Sequence, residues 1–179
     1  MNTSLILFLF ALSLFPAPQT NSLGAPGCGP RNIEFEVKTN GKQHTAPAPE
    51  AGKALIVFLQ DDVKFGTRPR PTTRFGIDGT WVGATHANSF FYVSVDPGER
   101  HLCANWQSPV RLIPTRSTAA AHFTAEAGKT YYYRAKDIAY TDRSGAVIGE
   151  PEVKLEPLDE DEAKVLMSSF ALSESHAKK

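Results

Sequence analysis

The chain has 179 residues, a length typical of a single domain, and its 19 basic and 19 acidic residues cancel to a formal net charge of zero. Because a nucleic-acid binder normally carries a basic excess that neutralises phosphates, this balance argues against a nucleic-acid partner. Two cysteines and 13 prolines exclude a disulfide-dense miniprotein and a disordered chain.

The first segment of the chain is apolar and carries no charged side chain before Arg31. Leu5 to Phe15 reads LILFLFALSLF, which is shorter than the ~20 residues of a membrane-spanning helix and is typical of the apolar part of a secretory signal peptide. We therefore expect residues 1–25 to be a signal peptide cleaved after Ala25, with no transmembrane span left in the mature protein. Its first residues, MNTS, lack the usual Lys or Arg. A buried N-terminal helix is the alternative.

Cys28 and Cys103 are the only cysteines in the chain. In an oxidising compartment two such cysteines usually pair, and the bridge would close a loop of about 75 residues, worth roughly 3–4 kcal/mol. The sequence thus predicts a disulfide and an exported protein, periplasmic or extracellular. Lipid anchoring at Cys28 is an alternative, to which Pro26 is poorly suited; two free thiols are another.

The N-terminal third is predicted to hold two strands separated by a loop. Residues 26–53 contain an alternating half-buried strand at Ile33 to Lys38 and a Pro/Ala-rich linker at residues 40–52. Ala54 to Leu59 (ALIVFL) is apolar on both faces, as a central buried strand should be. The basic, proline-containing loop at residues 64–71 is expected to be solvated, with contact to anionic polymers as the alternative.

Asp78-Gly79 is a strong hairpin signal, because a two-residue type I′ turn needs positive φ at both central residues. The register that this turn predicts pairs Ile77 with Thr80, Gly76 with Trp81 and Phe75 with Val82.

Two further hairpins are predicted from turn residues. Ser89–Val95 and Arg100–Trp106 flank Asp96-Pro97-Gly98-Glu99, which suits a type II turn. Residues 122–125 and 130–138 flank Glu-Ala-Gly-Lys in the same way.

Toward the C-terminus, residues 152–156 are a candidate edge strand, and the next segment is predicted to be helical. Asp159 and Glu162 form a capping-box pattern at its start. Four apolar residues fall on one face of this helix: Ala163, Leu166, Met167 and Phe170.

Short strands with regular turn signals predict an all-β fold. We expect an immunoglobulin-like or PEGA-like β-sandwich of about seven or eight strands with a C-terminal helix, spanning residues 54–172. Residues 173–179 are expected to be a disordered tail.

The run RFGIDGTWVGATHANSFFYVSVDPGERHLCANWQS, followed by FTAEAGKTYYYRAK, resembles the bacterial domain-of-unknown-function family numbered 2846. The likeness covers about residues 54 to 160 and includes the Asp-Gly hairpin, the Pro-Gly turn and the AGKTYYY strand. Members of that family are exported, some as lipoproteins, and have no established activity. The resemblance therefore implies compartment and fold and adds no mechanism.

No motif of a catalytic or cofactor site occurs. The sequence has no GxSxG elbow, no HExxH and no glycine-rich phosphate loop, so no catalytic residue, cofactor or metal ligand is predicted. One alternative is a zinc or copper site, if His86, His101 and His122 converge from neighbouring hairpins.

Aromatic side chains that point away from the predicted core form the candidate binding surface: Trp81, Phe90, Tyr92 and Tyr132. An outward aromatic strip can stack on sugars or receive a partner protein. The alternative is that the C-terminal helix covers this strip with its own apolar face, which would make the aromatics part of the core.

The sequence therefore predicts a non-catalytic accessory or interaction module of the bacterial envelope, whose partner would be an envelope protein or a glycan. A carbohydrate- or peptide-binding domain that uses the outward aromatics is the alternative. A cryptic hydrolase or metal protein ranks third.

Overall fold

The structure, a computed structural model, describes residues 27–66, 68–107 and 117–179. These residues form ten β-strands and one short α-helix. The predicted signal peptide, residues 1–25, lies outside these ranges. The elements in chain order are β1 (Phe35–Asn40), β2 (Ala54–Asp61), β3 (Thr72–Ile77), β4 (Thr80–His86), β5 (Ser89–Val95), β6 (Gly98–Trp106), β7 (Thr118–Ala125), β8 (Thr130–Thr141), β9 (Val147–Leu158), α1 (Glu160–Met167) and β10 (Ala171–Ala177).

The strands form two sheets. A six-stranded sheet has the order β1-β10-β5-β2-β8-β9, and a four-stranded sheet has the order β4-β3-β6-β7. Apolar side chains from both sheets meet between them, among them Phe58, Phe75, Leu102 and Trp106. The predicted all-β sandwich is confirmed, with ten strands in the described ranges instead of seven or eight.

Strand β2 is buried along its whole length because both faces of the six-stranded sheet are covered at this position. Ile56 and Phe58 point into the core between the sheets. Leu55, Val57 and Leu59 point the other way, into a second apolar cluster with the C-terminal segment. Alternate residues of a strand face opposite sides, so a strand between two cores is apolar throughout.

The Asp78-Gly79 hairpin is confirmed. Asp78 and Gly79 have φ values of 50° and 83°, the positive values that a type I′ turn needs. Ile77 lies opposite Thr80 and Gly76 opposite Trp81, as the turn predicts. The third predicted pair is wrong, because a register irregularity before Gly76 places Phe75 opposite Gly83.

The other two predicted hairpins are wrong, although their strands exist. β5 pairs with β2 and β10, whereas β6 pairs with β3 and β7 in the other sheet. β7 and β8 are likewise in different sheets. A turn reverses the chain in each case, but the chain also crosses from one layer of the sandwich to the other. Turn residues specify the reversal and not the partner of the next strand.

The predicted disordered tail is wrong as well, because residues 171–177 form β10. This strand pairs along its length with β1, from Phe35 opposite Ala177 to Asn40 opposite Leu172, and begins alongside β5. Its backbone hydrogen bonds to two neighbours order a segment whose side chains are mostly polar. Strands β1 and β10, from opposite ends of the described chain, therefore lie side by side in the six-stranded sheet.

Helix α1 begins where the capping pattern predicts. Asp159 is its N-cap, and its Oδ1 accepts a hydrogen bond of 2.8 Å from the backbone N–H of Glu162. The helix ends at Met167, and Ala163 and Met167 are buried on its inner face.

Asp159→Ala is expected to lower the free energy of unfolding by about 1 kcal/mol, since it leaves a first-turn N–H without its side-chain acceptor. Urea denaturation measures the change. Asp161→Ala is the matched control, because Asp161 lies in the first turn and caps nothing. Equal losses in the two variants would show that charge at the helix end, and not the cap, stabilises this segment.

Candidate functional site

Residues 27–33, here called the strap, cross the outer face of the four-stranded sheet. A disulfide joins Cys28 to Cys103 in β6, which confirms the predicted pairing. Gly27 lies so close to the sheet that a Cβ there would be 2.5 Å from the carbonyl carbon of Leu102. Only glycine allows this approach, so the strap lies directly on the strand backbone.

Trp81 anchors the middle of the strap. Its Nε1 donates a 2.7 Å hydrogen bond to the carbonyl of Pro30. A Cβ at Gly29 would lie 2.5 Å from Trp81 Cδ1, so the strap backbone rests against the indole. The guanidinium carbon of Arg74 lies 4.2 Å from the ring centroid, a cation–π distance.

Arg74 fixes the far end of the strap. Its side chain is nearly buried, and its Nε donates a 2.9 Å hydrogen bond to Asn105 Oδ1. Its Nη1 donates to the carbonyls of Arg31, at 3.2 Å, and of Ile33. A buried guanidinium is stable only with such partners, so the role of Arg74 is to hold the strap on the sheet.

A cavity of about 420 Å³ lies between the strap and the sheet. The described residues that line it are three of the strap, Cys28, Gly29 and Arg31, and four of the sheet, Arg74, Trp81, Asn105 and Thr118. The volume falls within the roughly 300–1,000 Å³ of small-molecule sites. The cavity thus lies on the outer face of the four-stranded sheet, beside the strap.

The four predicted binding residues do not form one surface. Phe90, Tyr92 and Tyr132 lie on the outer face of the six-stranded sheet, whereas Trp81 lies on the outer face of the four-stranded sheet. Phe90 is fully buried, packed with Met167 and Phe170 from the C-terminal segment. The covered-face alternative therefore describes the six-stranded sheet, whereas Trp81 borders the cavity beside the strap.

An ion-pair network holds the helix on this covered face. Arg134 donates through Nη1 to Glu162 in α1, at 2.8 Å, and through Nη2 to Glu156 in β9, at 3.1 Å. These contacts tie α1 to β8 and β9 on the outer face of the six-stranded sheet.

The three histidines do not converge. His101 and His122 face each other across β6 and β7, with ring centroids 6.3 Å apart. His86 lies at the opposite end of the sheet, 3.2 Å from Thr72 Oγ1. Within residues 27–66, 68–107 and 117–179, no group of three or more His, Cys, Asp or Glu is placed to hold a metal ion.

A buried carboxyl pair, Asp62 and Asp137, lies inside the sandwich, and nothing in the sequence analysis predicted it. Gln60 Nε2 donates to Asp62 Oδ1 at 2.9 Å and to Asp137 Oδ2 at 2.8 Å. Trp106 Nε1 donates to Asp137 Oδ1 at 2.8 Å, and Thr73 Oγ1 donates to its other oxygen at 3.3 Å. The signal in the sequence was the pair Asp61-Asp62, which follows the apolar run at residues 54–59 after Gln60.

Burial raises the pKa of Asp137 well above its ordinary value, and the nearby charge of Asp62 raises it further, against the hydrogen bond from Trp106. Burial also raises the pKa of Asp62, while the Gln60 hydrogen bond and the Arg70 charge oppose this. The pair therefore titrates as a unit and holds a proton more tightly than surface carboxyls do.

Arg70 corrects the prediction of a fully solvated basic loop. Its Nη1 lies 3.6 Å from Asp62 Oδ2, and its side chain is only 24% exposed. Arg68, in contrast, is exposed. One arginine of the loop thus belongs to the buried polar network.

Comparison of the chain with protein families, curated proteins and solved structures finds no match.

Among the described residues, the structure contains no helix with the length and apolar character of a membrane span. The fold and the site define a β-sandwich with a disulfide-pinned strap and a cavity beside it.

Proposed function

We propose that this chain is an exported bacterial β-sandwich domain that works as a non-catalytic accessory or interaction module of the cell envelope. The Cys28–Cys103 disulfide is the observation that carries this proposal. Disulfides persist in oxidising compartments and are rare in the cytosol. The apolar segment at Leu5 to Phe15 and the resemblance to family 2846 support the same compartment.

Lipid anchoring at Cys28 is not part of the proposed function. Its sulfur is bonded to Cys103, and one sulfur cannot also carry a thioether-linked lipid.

A carbohydrate- or peptide-binding role is the second candidate, and the cavity beside Trp81 favours it. The indole edge is occupied by the strap, while Arg31 is exposed at the cavity wall. The ligand face would be the outer side of the four-stranded sheet, not the aromatic strip around Phe90, which the helix covers.

Trp81→Ala is expected to weaken binding to an envelope glycan or protein at least tenfold, whereas Tyr92→Ala leaves it unchanged. The two aromatics lie on opposite sides of the sandwich, so each variant probes one face. The measurement is a glycan and peptidoglycan-fragment array, together with affinity capture from envelope extract.

Thermal unfolding of both variants shows whether a loss of binding reflects loss of fold. Retained binding in Trp81→Ala with loss in Tyr92→Ala would move the interaction to the helix-covered face. Binding as tight as that of the wild type in both variants would contradict a role for either aromatic surface.

A further inference from the structure

We propose that His101 and His122 together bind a divalent transition-metal ion, with Cu²⁺ bound more tightly than Zn²⁺. The two residues lie directly opposite each other in the antiparallel pair of β6 and β7. Their ring centroids are 6.3 Å apart, and the ring planes are inclined by 29°. Two protein ligands are fewer than a closed structural site uses, so water completes the coordination. This role goes beyond the proposed function and does not depend on it.

The geometry of the strand pair brings both imidazoles within reach of one ion. Residues directly opposite each other in an antiparallel pair have Cβ atoms about 4.5–5.5 Å apart. A zinc–nitrogen bond is about 2.0–2.1 Å long, so two nitrogens on one ion lie at most about 4 Å apart. The side chain of His101 is 41% exposed and His122 is exposed, so both are free to rotate. Rotation about the side-chain bonds turns the ring nitrogens toward each other.

Space for the ion and its water ligands lies beside the two rings. The described residues that border a cavity of about 230 Å³ there are the two histidines and four residues with small or apolar side chains, Gly27, Leu102, Ala120 and Ala121. The backbone beside this cavity is fixed, because Cys103, two residues after His101, forms the disulfide with the strap. A rigid strand pair that already holds both ligands has little ordering entropy to lose on binding.

Carboxylates flank His101 and favour a cation. Glu99 Oε1 lies 3.7 Å from His101 Nε2, and Asp78 Oδ1 lies 3.9 Å from His101 Nδ1. Asp78 is held in place, because it accepts hydrogen bonds of 2.8 Å from the backbone N–H of His101 and from Arg100 Nη1. The Arg100 charge is thus paired with Asp78. A carboxylate at the second ring nitrogen is the usual device that orients a metal-binding histidine.

The ligand atoms determine which metal is expected. Imidazole nitrogen suits copper, zinc and nickel, whereas calcium and magnesium take oxygen ligands. A given nitrogen site binds Cu²⁺ more tightly than the other divalent ions of the first transition row. Two imidazoles with water oxygens also match the tetragonal geometry that Cu²⁺ favours. The pair is therefore expected to bind Cu²⁺, to bind Zn²⁺ more weakly, and to discriminate against Mg²⁺.

The test is a calorimetric titration of the mature, oxidised protein, without an affinity tag, with the chlorides of Cu²⁺, Zn²⁺ and Mg²⁺. We expect one Cu²⁺ per chain, at least tenfold weaker binding of Zn²⁺, and no saturable binding of Mg²⁺. His101→Ala and His122→Ala should each lose at least tenfold in affinity for Cu²⁺, because one imidazole cannot chelate. Electron paramagnetic resonance of the Cu²⁺ complex should show coupling to two imidazole nitrogens in the wild type and to one in each variant.

His86→Ala is the matched control, because His86 is an exposed histidine of the same sheet, far from the pair, and should leave the Cu²⁺ affinity unchanged. Thermal unfolding without metal shows whether each variant is folded; His122→Gln, which keeps a polar side chain at an exposed position, replaces an alanine variant that unfolds. Absence of saturable Cu²⁺ binding, full affinity in either pair variant, or an equal loss in His86→Ala would overturn the proposal. The proposed envelope role would stand in each of these cases, since it does not require a metal.

Discussion

Cys28→Ala is expected to lower the free energy of unfolding by about 4 kcal/mol. The disulfide joins residues 75 apart in the chain, and without it the unfolded ensemble regains the entropy of that loop. Urea denaturation of the oxidised wild type and the variant measures the difference. The strap should also loosen, so fluorescence of Trp81 is expected to shift to the red while Trp106, which is fully buried, is unaffected.

The double variant Cys28→Ala/Cys103→Ala is the control, since it removes the same bond and should cost little more. Reduction of the wild type should reproduce the loss. A change below about 1 kcal/mol in all three would contradict the assignment of this stabilisation to the loop entropy of the unfolded chain.

Asp137→Ala is expected to lower the free energy of unfolding by about 2 kcal/mol. It leaves the buried Nε1–H of Trp106 without its acceptor, and an unsatisfied buried donor costs about 1–3 kcal/mol, whereas Gln60 Nε2 keeps its acceptors on Asp62 and Pro71. Urea denaturation near neutral pH measures this loss. Asp161→Ala, at an exposed position of α1, is the surface control and should change stability by less than about 0.5 kcal/mol. A similarly small loss in Asp137→Ala would contradict a stabilising role of the network.

The same pair makes stability depend on pH. Because the pKa values of Asp137 and Asp62 are raised in the folded state, the folded protein binds protons more tightly than the unfolded chain. Their contribution is complete below the unfolded pKa of about 3.9 and is lost as the pH rises through the folded pKa. Asp96 and Asp142 have lowered pKa values and contribute in the opposite direction.

Comparison of Asp137→Asn with the wild type isolates the pair, because both proteins share the surface carboxyls. Above pH 4, the wild type should lose stability relative to Asp137→Asn as the pH rises, since the amide cannot ionise. Parallel curves for the two proteins would show that Asp137 titrates alike in the folded and unfolded states.

Local chemistry explains the predictions that the structure confirms. The Asp78-Gly79 turn and the Asp159 cap depend on φ preferences and hydrogen bonds within a few residues, so the sequence specifies them. Alternation in β5 likewise indicated that Phe90 and Phe91 face opposite sides. The disulfide could be predicted because the chain has two cysteines and therefore one possible pairing.

The sites were harder to predict because they depend on which strands become neighbours. Alternation separates the two faces of a strand but does not say which sheet holds it, so Trp81 and Phe90 were assigned to one surface and lie on two. The cavity exists only because Arg74 and Trp81 hold a strap that is distant from them in sequence.

By itself the sequence determined the β class, the turn at Asp78, the helix cap and the cysteine pairing, since each follows from local conformation or from arithmetic. Only the tertiary structure decided the two-layer strand order, the ordering of residues 171–177 and the carboxyl pair. Asp62 and Asp137 meet because β2 and β8 run side by side in parallel, with Asp61 opposite Lys136. Such pairing between distant segments reflects the burial of whole faces, which no local pattern encodes.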